Sequence, residues 1–169
     1  MRIFISWSGP RSKKVADYLN DWLRKLPLPI EPWVSGAAIE PGTRWTKELS
    51  EALEGTDFGI LCLTPDNQDE PWICFEGGAL SKAIGKAHVV PYLIGMQPSE
   101  LKHPLQQFHA TQANKEDTWK LIKGIHKVTR DQTRSERDIQ EVFDKWWPDL
   151  EQVIIDAQNE VQLPEPKKA

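Results

Sequence analysis

Glu76 occupies a position where a charge is unexpected. Trp72, Phe75, Ala79, Leu80, Ala83 and Ala87 recur at helical spacing, and Glu76 falls inside that apolar stripe, between Trp72 and Leu80. A carboxylate facing a core costs several kcal/mol unless it is paired or lines a cavity. Asp69, Glu70 and Pro71 are suited to open this helix, so Glu76 lies early in it, where the helix dipole favours negative charge. Gly77 and Gly78 each weaken the helix by roughly 1 kcal/mol relative to Ala, and they strip side chains from beside the carboxylate. The space left suits a ligand or a closely approaching helix. The plainer alternative is a buried Glu paired with an arginine, or one at the rim of the stripe.

Aromatic residues form the second constellation. The chain has 8 tryptophans, and Trp7, Trp33, Trp45 and Trp72 fall where strands end or helices begin. Indole rings there could stack on a flat heterocycle or a sugar, although core packing is the better explanation for any single one of them. Other chemistries lack their motifs. There is no G-x-G-x-x-G, P-loop, G-x-S-x-G or H-E-x-x-H. His88, His103, His109 and His126 show no metal-ligand spacing, and no metal site is expected. Asp57 and Asp66 flank a strand without the acidic partners of a phospho-acceptor pocket, and Lys82 with Lys86 reads as a solvated helix face.

Positioning these residues requires strands alternating with helices. The runs at 2–6 and 58–63 read as buried strands, 30–34 as an edge strand because of Pro32, and 88–95 as a strand whose Pro91 argues against a central place. A short fifth strand is expected over 108–113. Ser12 is the candidate cap of a helix carrying Val15, Leu19, Trp22, Leu23 and Leu26, which Pro27 stops. A second helix is expected from Thr43, with Trp45, Leu49, Ala52 and Leu53 inside and Gly55 at its end, and a third from Pro71. A short helix over 99–107 is broken by Pro104. Asn114 caps a helix with Asp117 completing a capping box. From Ser135 a long stripe runs Ile139, Val142, Phe143, Trp146, Leu150, Val153, Ile154 and Ala157, and Pro148 should kink or split it. Residues 163–169 read as a flexible tail. This alternation, with crossovers long enough for parallel pairs, gives an α/β fold with helices on both faces of the sheet, in which ligands bind at the carboxyl ends of strands.

Composition sets outer limits. A chain of 169 residues with 39% hydrophobic content can fill the core of one domain. A formal charge of −4 does not provide the broad basic field of a nucleic-acid binder. Cys62 and Cys74 lie in apolar surroundings and read as buried, reduced thiols. No apolar run reaches the ~20 residues needed to span a bilayer, and the first residues lack a secretion signal, so the expected location is the cytoplasm.

Three segments resemble one family. Ile3-Phe-Ile-Ser-Trp-Ser8 is similar to the strand signature that opens TIR (Toll/interleukin-1 receptor) domains. Ile39-Glu-Pro-Gly-Thr-Arg-Trp45 resembles their loop after the second strand, and Pro71-Trp-Ile-Cys-Phe-Glu76 resembles the W-x-x-x-E segment of NAD-cleaving bacterial members. The resemblance covers residues 1–130 and implies a flavodoxin-like parallel sheet of about five strands. A helical extension over 131–162 would pack on that domain. It further implies that Glu76 is the catalytic carboxylate, that Trp7 and Ser8 face the nucleotide, and that Trp45 and Trp72 line the nicotinamide–ribose pocket. Ile39, Glu40, Pro41 and Gly42 would contact a neighbouring copy. Ser8-Gly9-Pro10 departs from members with basic residues after the aromatic.

The implied activity is NAD+ glycohydrolase or cyclase chemistry in bacterial anti-phage immunity, activated by self-assembly. NAD+ is then substrate and no cofactor is needed. Nicotinamide leaves as a neutral molecule, so one carboxylate beside an oxocarbenium-like ribose suffices. Attack by water gives ADP-ribose, internal attack a cyclic isomer, and an added nucleophile a conjugate. Other TIR domains, and a separate sensor or effector protein, are the partners implied. Two further readings stay open: a non-catalytic TIR adaptor, and a nucleoside deoxyribosyltransferase-like enzyme, which also uses a Glu on a related fold. The charge inside the apolar stripe disfavours the adaptor, and the Pro-Gly loop with W-x-x-x-E favours TIR over the transferase.

Overall fold

A computed structural model of the chain describes residues 1–7, 9–34, 55–67, 88–102, 105–129, 131 and 133–160. Five parallel strands, β1 (Arg2–Ser6), β2 (Glu31–Val34), β3 (Phe58–Leu63), β4 (Val89–Leu93) and β5 (Thr111–Gln112), form one sheet in the order β2-β1-β3-β4-β5. This is the flavodoxin-like order, whose direction of winding reverses between β1 and β3. β3 and β4 are buried along their whole length, which explains their unbroken apolar sequence.

Three α-helices are described: α1 (Pro10–Leu23), α2 (Lys115–Thr129) and α3 (Glu136–Asn159). Their apolar stripes pack on one face of the sheet, against Ile3, Ile5, Ile60, Cys62, Val90 and Tyr92. Phe4, Leu61, Leu63, Val89 and Leu93 point to the other face, where Met96, Leu101, Leu105 and Phe108 join them. The helices expected over 43–55 and 71–87, and the tail over 163–169, lie outside the described residues.

Several local expectations are corrected. α1 is capped by Gly9 (φ +83°) with Pro10 in its first turn, not by Ser12, whose hydroxyl donates instead to the Gly9 carbonyl at 3.2 Å. Proline needs no N–H there, and glycine takes the left-handed turn without strain. The helix ends at Leu23, short of Leu26 and Pro27. Asn114 does cap α2, accepting from the Asp117 N–H at 2.8 Å, but the Asp117 carboxylate accepts from Gln112 rather than closing a reciprocal box. The 99–107 segment forms two 3₁₀ turns, Pro98–Glu100 and Leu105–Gln107, and the fifth strand shrinks to two residues.

The prolines differ most from expectation. β4 carries Pro91 and still lies between two neighbours. The Ile94 N–H donates to Leu63 and the Leu93 carbonyl accepts from Ala113, so Pro91, two residues before Leu93, turns its nitrogen toward the β5 side. β5 begins pairing only at Tyr92, so no ladder bond is lost. Pro148 neither splits α3 nor ends it. Phe143 and Trp147 before it and Leu150 and Ile154 after it are buried in the same core, and the Trp22 indole donates to the Trp146 carbonyl at 3.0 Å. Tertiary packing on both sides holds the helix through the missing bond. Pro32, in contrast, sits on the edge strand as its sequence predicts. The Glu31 N–H points inward to Met1, so Pro32 points outward, and its carbonyl accepts from Arg24 at 2.6 Å.

Candidate functional site

The carboxyl edge at the winding reversal is assembled from the ends of β1, β3 and β4. β1 ends at the buried Ser6, and Trp7 follows, a residue 8% exposed within the helical-face core. The Lys13 ammonium lies 5.6 Å from that ring's centre. Gly9 then turns the chain into α1, whose first turn holds no acid and whose amino end has no side-chain cap. Lys13 is exposed there, whereas the Arg11 charge is held by Asp66.

β3 runs into a stapled turn. The Thr64 N–H donates to the Asn67 carboxamide oxygen at 2.8 Å, and the Asn67 amide nitrogen donates to the Cys62 carbonyl at 3.2 Å. Between them Asp66 forms an ion pair with Arg11. Past β4, Gly95 adopts φ +70° and lets the backbone close on Gln158 of α3. Burial pushes the Cys62 thiol beneath this turn up to about 12, so it is a neutral packing group rather than a nucleophile. The Tyr92 phenol is raised by the same cause and shares a 2.8 Å hydrogen bond with Thr118.

Of the residues singled out in the sequence, Trp7 falls at this edge. Ser8, Trp45, Trp72, Glu76 and the loop residues Ile39, Glu40, Pro41 and Gly42 lie outside the described residues. Trp33 is not at the carboxyl edge. It pairs in register with Phe4, ring centres 4.5 Å apart, and the Arg2 guanidinium from the start of β1 lies 5.4 Å from its ring. Arg11 and Asp66 gained no role from the sequence, because their pairing joins segments 55 residues apart. Among the described residues no group of His, Cys, Asp and Glu could hold a metal ion, and no helix is long and apolar enough to cross a membrane.

An all-parallel sheet in this order, with loops gathered at its winding reversal, defines a doubly wound α/β domain of flavodoxin type. The sequence profile described as "TIR domain" matches residues 3–127, about three-quarters of the chain, and the protein belongs to the TIR domain family. Among solved structures it is similar to the TIR domains in the activated Roq1 resistosome directly recognizing the pathogen effector XopQ. Identity is 17% over 92% of this chain and 95% of that one, with a TM-score of 0.45. No curated protein matches the chain.

Proposed function

We propose that the protein cleaves the nicotinamide–ribose bond of NAD+, with Glu76 as the catalytic carboxylate. The observation that carries this reading is the segment Pro71-Trp-Ile-Cys-Phe-Glu76, which puts a charge into an apolar stripe in a chain that belongs to the TIR family. The carboxylate stabilises positive charge developing on the ribose as neutral nicotinamide departs, so no proton need be delivered to the leaving group. Trp45 and Trp72 hold the rings and exclude water, with Trp7 and Ser8 at the nucleotide-facing end of β1. The exposed Lys13 ammonium beside Trp7, in a first turn that holds no acid, supplies positive charge suited to a dinucleotide's phosphates. Residues 39–42 contact a neighbouring copy, and self-assembly in the cytoplasm completes the active state in defence against phage.

Nicotinamide release from NAD+ by concentrated protein, with products resolved by mass spectrometry, tests the reading. Release from the native protein and its loss in Glu76→Gln, with the fold retained, is the expected result. Full turnover in that variant removes Glu76 from catalysis. Absence of release from the native protein at high concentration points instead to a non-catalytic TIR domain. The product mass separates ADP-ribose from a cyclic or conjugated form.

A further inference from the structure

The Arg11 guanidinium joins three elements. Its Nε donates to the Ala157 carbonyl at 2.8 Å and one Nη to the Gln158 carbonyl at 3.1 Å, while the other Nη holds the Asp66 carboxylate. Both carbonyls belong to the last turn of α3, where intrahelical donors run out. The Lys14 ammonium meets the Glu160 carboxylate at 2.9 Å beside them. A Cβ added at Gly95 would lie 3.3 Å from the Gln158 Cγ, so glycine permits this close approach. The end of α3 thus touches the first turns of α1 and the loop that follows β4, and reaches the turn after β3 through Arg11. α3 itself begins past residue 127, where the family profile stops.

The apolar stripe of α3 already fixes the helix on α1 without these contacts. The Asp66 carboxylate is 34% exposed, so its ion pair adds little stability in water. What the planar, multiply bonded guanidinium supplies is geometry. From Asp66 the chain runs on into the segment that carries Trp72 and Glu76.

We propose that Arg11 is a positioning residue, clamping the turn after β3 against the last turn of α3, so that α3 belongs to the working site. This deepens the NAD+-cleavage reading and rests on it for its catalytic consequence. The test compares Arg11→Gln, Arg11→Lys and Asp66→Asn with Ile139→Ala, which empties a buried position at the far end of α3. Each variant of the full chain is assayed for nicotinamide release and for amide exchange at Thr64 and Asn67. Arg11→Gln is expected to lower kcat about tenfold, leave KM within about twofold, and speed exchange at both amides about tenfold, as loss of charge-assisted bonds implies. Arg11→Lys recovers part of the loss. Asp66→Asn, which keeps the bonds to α3, shifts both readouts the same way by less. Ile139→Ala lowers Tm and moves neither readout.

A folded Arg11→Gln protein with native turnover, or with native protection at Thr64 and Asn67, overturns the proposal. So does a turnover loss in Ile139→Ala equal to that in Arg11→Gln. Should the native protein release no nicotinamide, the functional reading fails, and the exchange arm still decides whether Arg11 links the turn to α3.

Discussion

Two sets of tryptophans in this domain do different work. Trp22, Trp119 and Trp147 surround Phe143, with ring centres 5.6, 5.1 and 5.7 Å from it, and they join α1, α2 and α3 into one core. Two of the three have their indole N–H bonded. Trp22 donates to the Trp146 carbonyl and Trp147 donates to the Glu151 carboxylate at 3.0 Å, while the Lys123 ammonium lies 5.9 Å from the Trp119 ring centre. Against the sheet, Trp33 rests on Phe4 and its buried Nε1 has no hydrogen-bond partner among the described residues. An indole with its N–H satisfied and its faces covered is a structural residue. Tryptophan content alone therefore says little about binding.

The contrast is broken most severely by Trp22→Ala. Removing a fully buried indole is expected to cost roughly 3–5 kcal/mol and to lower Tm by about 10 °C or more, read from denaturant and thermal unfolding. A loss below about 1 kcal/mol would show that the helical set is not the stabilising one.

Alkali probes the dryness of the same face. The unfolded Cys62 thiol ionises near 9, whereas the folded one keeps its proton to about 12. The folded state therefore binds more protons between those values. The stability present below pH 9 is lost as pH rises toward 12, by on the order of 1 kcal/mol at pH 10. Tyr92, also raised, acts with the same sign. Unfolding free energies from pH 8 to 10.5 should fall less steeply in Cys62→Ala, and equal slopes would mean that water reaches the thiol.

Smaller effects sharpen the distinction. Trp147→Phe keeps most of the ring but loses the bond to Glu151, and about 1 kcal/mol of destabilisation is expected in urea titration. Trp33→Phe deletes an N–H that has no acceptor among the described residues, so stability should hold within about 0.5 kcal/mol or rise. If Trp33→Phe costs as much as Trp147→Phe, the two sets do not differ as described.

Much of the scaffold was legible because the signals are local. β1, β3 and β4 are continuous apolar runs, and α3 keeps its 3.6-residue stripe straight through Pro148. Ser12 misled because its residue type favours a cap, while the φ +83° of Gly9 and the fit of Pro10 decided the position. Pro91 misled because the ladder side of a nitrogen depends on register with other strands. At the candidate site, Glu76 is proposed from its mismatch with the apolar stripe around it in the sequence, and it lies outside the described residues. Arg11 was not found, since its partners lie 55 and 146 residues away and no spacing rule reaches them.

The outward edge of β2 has one further consequence. Pro32 offers no N–H to an incoming strand, and its carbonyl is already occupied by the Arg24 guanidinium. A second strand approaching β2 meets no donor at that position and an acceptor already engaged, so Pro32 blunts this edge of the sheet against strand-upon-strand pairing.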